Sequence, residues 1–355
     1  MQALIEKLET QRGLSFEDWS ALLRDRRPET MEAVWARARA LQTARFGNRV
    51  YIRGLIEFTN YCKNDCFYCG IRRSNRNVDR YRLTEEEILS CCREGYPLGF
   101  RTFVLQGGED PYFTCDTLCH LVRAIKAAHP DCAVTLSVGE RPREEYEALY
   151  RAGADRYLLR HETADDCHYR TLHPAALSPR TRKACLESLK EIGYQVGCGF
   201  MVGSPGQTIN QLVQDMLFLQ SFQPEMVGVG PFIPQRDTPF GDQPAGGLIL
   251  TLYLLGLIRL LLPDALLPAT TALGSIHPRG RERGILAGAN VVMPNLSPPE
   301  TREKYTLYDN KLITGPEAAE SLADLRRRMK EIGYQLSVDR GDHPSKIQHK
   351  RGSDA

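Results

Sequence analysis

Three cysteines, Cys62, Cys66 and Cys69, stand in one short run with Cys-x3-Cys-x2-Cys spacing, and Tyr68 directly precedes the third. Four thiolates would close a structural zinc site or fully ligate a cubic iron–sulfur cluster. Three thiolates ligate three irons of a [4Fe–4S] cube and leave the fourth iron free to bind a small molecule. The run therefore predicts an open iron–sulfur cluster. From spacing alone, a zinc knuckle or a chance grouping among the 11 cysteines remains the alternative.

The spacing of these cysteines resembles the cluster loop of radical S-adenosylmethionine (SAM) enzymes. That resemblance implies that the open iron chelates the amino and carboxylate groups of SAM. It also implies that an electron from the cluster cleaves the sulfonium and releases a 5′-deoxyadenosyl radical. Cys62, Cys66 and Cys69 would then be both the metal ligands and the catalytic residues of an oxygen-sensitive enzyme.

Composition describes an ordinary globular chain of 355 residues, 42% hydrophobic and 25% charged, with a formal charge of +2. Such a balance excludes a nucleic acid or a membrane held by bulk electrostatics. The N-terminus lacks the pattern of a signal peptide, and the apolar run Leu248–Leu262 is shorter than the roughly 20 residues of a membrane span. Eleven cysteines without a secretion signal indicate reduced thiols. We therefore expect a cytoplasmic protein, most simply a monomer.

Short β-branched or aromatic runs alternate with helical patterns through most of the chain. The eight strand candidates are Val50–Thr59, Thr102–Gln106, Ala133–Val138, Arg156–Arg160, Gln195–Val202, Met226–Gly230, Leu266–Thr271 and Asn290–Met293. The helix candidates between them are Thr84–Tyr96, Asp116–Ala128, Arg143–Ala152, Pro179–Ile192, Gln207–Ser221, Leu248–Leu262 and Arg279–Leu286.

This alternation of eight strands and helices predicts an α/β fold, a complete (β/α)8 TIM-type barrel, with a doubly wound open sheet as the competing topology. Residues 1–48 are predicted to be an N-terminal helical extension, and residues 49–310 the barrel. Residues 311–355 are predicted to hold a C-terminal helix over Pro316–Gly333 and a loose tail from about Ser337.

Unusual residues follow the predicted strands, at the end of a TIM-type barrel where catalytic groups lie. Gly107-Gly108-Glu109 follows strand two, and its glycines let the backbone approach a ligand closely. After strand four, strand-like alternation places Arg160 and Glu162 on one face and His161 on the other. Charges that face a barrel interior are costly unless they are paired or bind a ligand, so a structural ion pair is the alternative interpretation.

Longer segments resemble the HydE family of [FeFe]-hydrogenase maturases, which are radical SAM enzymes, from about Arg53 to Tyr308. The matching segments are residues 56–82, 157–163, 201–208, 229–234, 268–272 and 291–295. This resemblance implies a SAM site formed by Tyr68, Gly108, Glu109, Ser137, Arg160, Glu162, Arg182 and Met201. It implies a substrate cavity lined by Gln106, Thr270, Thr271, Tyr305 and Tyr308.

The same resemblance implies the activity and its partners. The adenosyl radical would act at sulfur of a small iron–carbonyl–cyanide–cysteine precursor during assembly of the hydrogenase active-site cluster. A reductant such as a ferredoxin or flavodoxin, and other hydrogenase maturases, would be partners. Some members of the family carry a second cluster on C-terminal cysteines. No cysteine follows Cys198, so we expect a single cluster here.

Three alternatives to this function stay open at the level of the sequence. An amino-acid mutase related to methylornithine synthase shares the segment near Arg72-Arg73-Ser74-Asn75. Biotin-synthase-like sulfur chemistry would need an auxiliary cluster for which no ligand set is evident. A non-catalytic iron–sulfur scaffold would need neither SAM nor the Arg160, Glu162 and Arg182 constellation.

Overall fold

The computed structural model describes residues 1–312 and 318–346. Its helices up to residue 192 are α1 Gln2–Gln11, α2 Phe16–Arg24, α3 Pro28–Phe46, α4 Glu85–Gly95, α5 Cys115–Ala128, α6 Arg143–Arg151, α7 Asp166–Leu172 and α8 Pro179–Ile192. The later helices are α9 Ile209–Phe222, α10 Leu248–Leu261, α11 Thr271–Ile276, α12 Gly280–Leu286, α13 Pro299–Arg302 and α14 Ala318–Glu331. The strands are β1 Arg49–Ile52, β2 Gly54–Thr59, β3 Thr102–Gly107, β4 Ala133–Ser137, β5 Arg156–Leu158, β6 Gln195–Cys198, β7 Met201–Val202, β8 Met226–Val227, β9 Gly230–Pro231, β10 Val291–Val292 and β11 Gln335–Ser337.

The parallel pairings run in a closed circle, as the predicted (β/α)8 barrel requires. Six strands form one sheet in the order β2-β3-β4-β5-β6-β8. A bridge from Met226 to Leu266 and another from Pro268 to Val291 extend the circle through strands seven and eight of the barrel. Strand β10 then pairs with β1, which continues directly into β2. The fold-class prediction is confirmed.

Several predicted strands are shorter or divided in the structure. The predicted strand Val50–Thr59 is β1 and β2, because its first part pairs with β10 and β11 while its second part pairs with β3. Strands five and six of the barrel divide near Gly199, whose backbone lies so close to Gly228 that a Cβ would stand 2.0 Å from the Gly228 oxygen. Strand seven pairs only through isolated bridges, one of them at Pro268, whose nitrogen has no hydrogen to donate.

Local sequence signals set the ends of the outer helices. Thr84 caps α4 by accepting a hydrogen bond from the Glu87 amide, and Glu87 accepts one from the Thr84 amide in return. Helix α10 is buried along its length against α3, which explains the apolar run Leu248–Leu262. Within the described residues, every helix is too short or too polar to cross a membrane.

The N-terminal helices α1–α3 pack outside the barrel, against α9 and α10. Gln220 on α9 accepts hydrogen bonds at its side-chain oxygen from the Leu14 amide and from the Trp19 indole, at 3.0 and 3.1 Å. The Tyr253 hydroxyl on α10 donates to the Leu22 carbonyl at 2.9 Å. These contacts hold the extension on the side of the barrel, away from the strand ends that carry the site.

The C-terminal segment covers the N-terminal ends of the barrel strands. Strand β11 pairs with β1, and Asp342 accepts hydrogen bonds at 2.7 Å from the buried Arg156 and from Gln195, the first residues of β5 and β6. The prediction of a loose tail from about Ser337 is therefore wrong up to Lys346, because these buried polar groups take their partners from the tail. Residues 347–355, and the predicted start of the last helix at Pro316, lie outside the described residues.

Candidate active site

A cavity of ≈ 300 Å³ opens at the C-terminal ends of the barrel strands. It brings together fifteen of the sixteen predicted site residues: Cys62, Cys66, Tyr68, Cys69, Gln106, Gly108, Glu109, Ser137, Arg160, Glu162, Arg182, Met201, Thr270, Tyr305 and Tyr308. Thr271 is missing from its lining. Residues far apart in the chain thus meet where the barrel topology predicts.

The three cysteines lie on the loop after β2, at one end of this cavity, and all three are free thiols. Burial is the main cause that raises the pKa of each thiol, and for Cys69 the pKa rises to about 12. A thiol that is hard to ionise by itself is a poor nucleophile at neutral pH. A metal centre that binds the thiolates would supply the missing stabilisation. The loop is suited to ligation and not to nucleophilic catalysis.

One residue that positions the cluster loop, His173, was not predicted from the sequence. His173, just after α7, donates from Nδ1 to the Tyr169 carbonyl at 2.9 Å, so its Nε2 accepts the hydrogen bond of the Tyr68 hydroxyl at 3.2 Å. The His173 ring also stacks on Tyr169, with centroids 3.9 Å apart. These contacts hold Tyr68 between two of the cysteines. No spacing signal in the sequence marks His173, since its partner is about a hundred residues away.

We predict that His173 makes the stability of this region fall with acid. Burial lowers the pKa of His173 to about 4, so the unfolded chain binds a proton more readily than the folded one between pH 6.5 and 4. The contribution of His173 to the free energy of unfolding is complete above pH 6.5. It is lost as the pH falls toward 4, and the loss is about 3 kcal/mol at most. In urea unfolding at several pH values, the free energy of unfolding should fall less steeply with decreasing pH for His173→Gln than for the unchanged protein. His120→Gln, at an exposed site, should keep the full pH dependence.

Two glycines let the loops around the cavity approach one another. A Cβ on Gly108 would lie 2.1 Å from the Tyr61 carbonyl oxygen, and a Cβ on Gly139 would lie 1.9 Å from the side chain of Glu109. Gly139 also has a φ of +78°, which favours glycine. The Gly107-Gly108-Glu109 segment therefore packs directly on the cysteine loop, and Glu109 reaches the cavity over Gly139.

Charged groups beside the cysteines have opposite charges nearby but incomplete hydrogen bonding. Arg182 Nε lies 2.8 Å from Glu140 Oε1, and Arg160 NH2 lies 3.2 Å from Glu162 Oε2. None of these four atoms has the alignment of a hydrogen bond with any partner in the described structure, although all four are buried. Glu140, which follows β4, contacts Arg182 without being part of the cavity lining, and the sequence predictions did not include it. Unsatisfied buried polar atoms of both signs suit a ligand that carries an ammonium and a carboxylate.

The backbone at Glu162 is in the left-handed region, with φ +64°, so the charged pair is not part of a regular strand. Strand β5 ends at Leu158, yet Arg160 and Glu162 still share a face, as predicted. His161 points the other way and is buried, with Nδ1 accepting from the Gly199 amide and Nε2 lying 3.3 Å from Asp215. Left-handed residues other than glycine are held by their surroundings and cluster at functional sites.

The lining of the cavity also includes neutral polar groups. Gln106 ends β3, Tyr305 and Tyr308 come from the loop after α13, and Thr270 caps α11. The Thr270 hydroxyl oxygen accepts from the Leu273 amide at 3.4 Å, which leaves its own proton to donate into the cavity. Thr271 is already the first residue of α11, so the prediction that it lines the cavity is wrong. The helix begins one residue earlier than a strand ending at Thr271 would allow.

A buried ion pair anchors the loop that carries the two tyrosines. Lys311 Nζ lies 2.6 and 2.7 Å from the two carboxylate oxygens of Glu57, whose side chain is 1% exposed. The same ammonium donates to the Tyr305 carbonyl at 3.0 Å, and Asn295 donates to Glu57 at 2.8 Å. Sequence reasoning missed this pair, although an acidic residue inside an apolar strand was a signal of a buried partner.

We predict that Lys311→Met destabilises the protein by about 3–5 kcal/mol, because it leaves the Glu57 carboxylate buried without a charge partner. Chemical unfolding measures the change. Lys304→Met is the matched control in the same loop, since Lys304 pairs with Asp79 at an exposed site and should cost at most about 1 kcal/mol. The double variant Glu57→Gln, Lys311→Met should recover part of the lost stability. If Lys311→Met alone lowers the free energy of unfolding no more than Lys304→Met does, the argument from burial of Glu57 is wrong.

The residues present fit a [4Fe–4S] cluster with SAM. Among the described residues, no three His, Cys, Asp or Glu side chains are placed to hold one metal ion, so the three thiols do not surround a single zinc. In a cube each thiolate binds a different iron, so ligation of a cube does not need three side chains around one ion. Gly108 provides the close backbone approach, and Arg160, Glu162 and Arg182 provide unsatisfied polar atoms at the same end of the cavity.

Comparisons with known proteins agree with this geometry. A family model for the radical SAM superfamily matches residues 56–219. The [FeFe] hydrogenase maturase subunit HydE of Thermotoga maritima is 48% identical over 310 residues, which are 87% of this chain and 88% of that protein. The 3-methylornithine synthase of Methanosarcina acetivorans is 30% identical over 91% of this chain and 90% of its own. A crystal structure of methylornithine synthase (PylB) superposes with a TM-score of 0.83 at 28% identity, covering 94% of this chain and 97% of that one.

Proposed function

Because the chain belongs to the radical SAM superfamily, and within it to the family of the maturase HydE, we propose that it serves in building the active-site cluster of [FeFe] hydrogenase. The observation that supports this most is the 48% identity to a HydE over nearly the whole of both chains. The radical SAM chemistry itself is the property of the family. Its use in hydrogenase maturation is the proposal.

The residues of the cavity would have different roles in that chemistry. A [4Fe–4S] cluster with SAM bound supplies the electron that cleaves SAM to a 5′-deoxyadenosyl radical. Cys62, Cys66 and Cys69 would hold three irons. Arg182 would place the SAM carboxylate with its planar guanidinium, and Glu109 would accept from the SAM ammonium. The packing of the loops around the cavity would limit the access of water that quenches or diverts a radical.

The substrate we propose is a small precursor that contains iron and sulfur and carries carbonyl or cyanide ligands. Such a molecule presents small, weakly basic acceptors, which match neutral donors in the lining of the cavity such as the Thr270 hydroxyl and the Gln106 amide. The volume of ≈ 300 Å³ is too small for a protein substrate. A reductant and partner maturation proteins complete the proposal.

Activity with a defined precursor tests the proposed function. The reconstituted protein, SAM, dithionite and a synthetic iron–carbonyl–cyanide–cysteine complex should together form 5′-deoxyadenosine faster than without the complex, and should allow an apo-hydrogenase to be matured. An unbranched diamino acid isomeric with methylornithine serves as the comparison substrate for the amino-acid mutase alternative. Its rearrangement to methylornithine, with no response to the iron complex, would favour the mutase.

We predict that Thr270→Val lowers hydrogenase maturation while SAM binding and uncoupled SAM cleavage remain close to those of the unchanged protein. The substitution removes a hydroxyl that lines the cavity and that we assign to the substrate. It also removes the cap of α11, at a cost of about 1 kcal/mol. Thr271→Val is the matched control and should mature hydrogenase normally. If both variants lose SAM binding, the division of the cavity into a SAM end and a substrate end is wrong.

A further inference from the structure

The turn that presents Glu162 to the cavity is held from behind. Glu162 lines the cavity with a left-handed backbone, φ +64°, and its carboxylate atom Oε2 is buried without an aligned hydrogen bond to any described residue. A residue other than glycine keeps such a backbone only where its surroundings impose it. The neighbours of Glu162 in the chain therefore need firm contacts of their own, and a buried aspartate on α9 supplies them.

Asp215, on α9, contacts the chain on both sides of Glu162. Its Oδ1 accepts a hydrogen bond of 2.6 Å from the Ala164 amide, and the same oxygen lies 3.3 Å from Nε2 of His161. The side chains of His161 and Asp215 are 1% and 0% exposed, so water does not compete for these contacts. One oxygen of α9 thus joins the residue before Glu162 to the second residue after it.

The hydrogen bonds of His161 fix its tautomer. Nδ1 accepts from the Gly199 amide at 3.2 Å, so the ring carries its proton on Nε2, on the side of Asp215. Burial is the main cause that lowers the pKa of His161 to about 3, in agreement with a neutral ring. The carbonyl of the same Gly199 accepts from the Glu162 amide at 2.9 Å. Gly199 and Asp215 therefore hold the turn from two sides.

Asp215 is used here as a hydrogen-bond acceptor and not as a charge. Burial, the main cause, raises the pKa of its carboxyl well above the usual value. Both contacts with the turn are made by Oδ1, while Oδ2 is buried without a partner in the described structure. An asparagine has the same shape and keeps one acceptor oxygen, so it should be able to replace this aspartate.

We propose that Asp215 is a positioning residue for SAM binding, which holds residues 161–164 so that the Glu162 carboxylate is already in place when SAM arrives. The inference rests on the radical SAM chemistry of the proposed function. The unpaired Glu162 oxygen suits a donor of SAM, either its ammonium or a ribose hydroxyl. Asp215 does not line the cavity and acts only through Glu162. Without it, the turn would relax, and ordering it again would reduce the binding free energy of SAM.

A double-variant cycle on the reconstituted protein tests this role through the Kd for SAM, measured by equilibrium binding. Leucine resembles aspartate in shape but has no acceptor, and Glu162→Gln and Asp215→Leu should each raise the Kd by about ten-fold or more. The double variant should stay within about two-fold of Glu162→Gln alone, because Asp215 then has no carboxylate left to position. If the two effects multiply in full, Asp215 does not act through Glu162 and the inference is wrong.

Two further variants separate positioning from general stability. Asp215→Asn keeps the acceptor and should bind SAM within about two-fold of the unchanged protein. A loss as large as that of Asp215→Leu would contradict the role of Oδ1. Met216→Ala is the matched control, since Met216 is the next residue of α9 and is also 0% exposed. It should lower the stability to denaturant but not the affinity for SAM, and an equal loss of SAM affinity would contradict a specific role of Asp215.

His161→Asn repeats the test if Asp215→Leu does not fold. Asparagine keeps an acceptor for the Gly199 amide but is too short to donate to Asp215, so the Kd for SAM should rise by about three-fold or more. This rise should disappear on the Glu162→Gln background, and its absence from the single variant would overturn the inference. If the unchanged protein binds no SAM, the radical SAM chemistry of the proposed function is itself wrong. Normal SAM binding by Asp215→Leu would remove only the role of Asp215.

Discussion

Replacing Cys66 with alanine should reduce 5′-deoxyadenosine formation to background, because one of three cluster ligands is lost and the other two cannot hold the cube in place. The second measured quantity is the iron content of the protein. Anaerobically reconstituted unchanged protein should hold about four irons per chain, as a [4Fe–4S] cluster requires, and the variant should hold a small fraction of that. Absorbance near 400 nm and product analysis after reduction with SAM measure both.

Cys167→Ala is the matched control, because Cys167 is an exposed thiol outside the cluster loop. It should keep full iron and full SAM cleavage. The triple variant that lacks Cys62, Cys66 and Cys69 should hold no iron–sulfur chromophore, which tests the prediction of a single cluster. Normal SAM cleavage by Cys66→Ala would refute the assignment of the loop, and stoichiometric iron in the triple variant would reveal ligands among the other eight cysteines.

Replacing Arg182 with glutamine should weaken SAM binding by about 2–5 kcal/mol, a factor of about 30 to about 5,000 in Kd. Arg182 is buried at the cysteine end of the cavity, and its Nε lies 2.8 Å from Glu140 without a formed hydrogen bond. Loss of the guanidinium therefore removes a charge partner from the ligand and leaves Glu140 and Glu109 close together without compensation. Equilibrium binding of SAM to the reconstituted protein measures the effect.

Arg180→Gln provides the comparison, since Arg180 lies two residues earlier on α8 and is exposed. It should bind SAM normally. Arg182→Lys should recover only part of the affinity, because an ammonium keeps the charge but not the planar pair of donors. Unchanged SAM affinity in Arg182→Gln, in a variant that unfolds at the normal denaturant concentration, would remove Arg182 from the SAM site.

The sequence predicted the barrel and the gathering of the site because both follow from order along the chain. Alternating elements require parallel strands, and the loops after those strands must share one end of the barrel. Arg160 and Glu162 show how such a prediction can be right for an incomplete reason. They do share a face, but the left-handed backbone at Glu162, and not a continued strand, sets their direction.

Contacts between distant segments could not be predicted from the sequence. Lys311 and Glu57, His173 and Tyr68, and Asp342 and Arg156 each join residues whose types are ordinary in their own surroundings. The resemblance to the HydE family placed Thr271 in the cavity beside Thr270, whereas in the structure Thr271 is the first residue of α11. A shift of one residue at a strand end is enough to move a side chain from one environment to another.

The pairing of β1 with β11 joins the first strand of the barrel to the last strand of the described chain, at the N-terminal ends of the barrel strands. The first strand of the barrel therefore acquires this neighbour only after residues 335–337 have been synthesised, and contacts of such long sequence separation form slowly. A chain that has not yet reached Asp342 would leave the buried Arg156 without its carboxylate. Truncations that remove residues 335–346 should therefore destabilise the barrel at the end that lies away from the cavity.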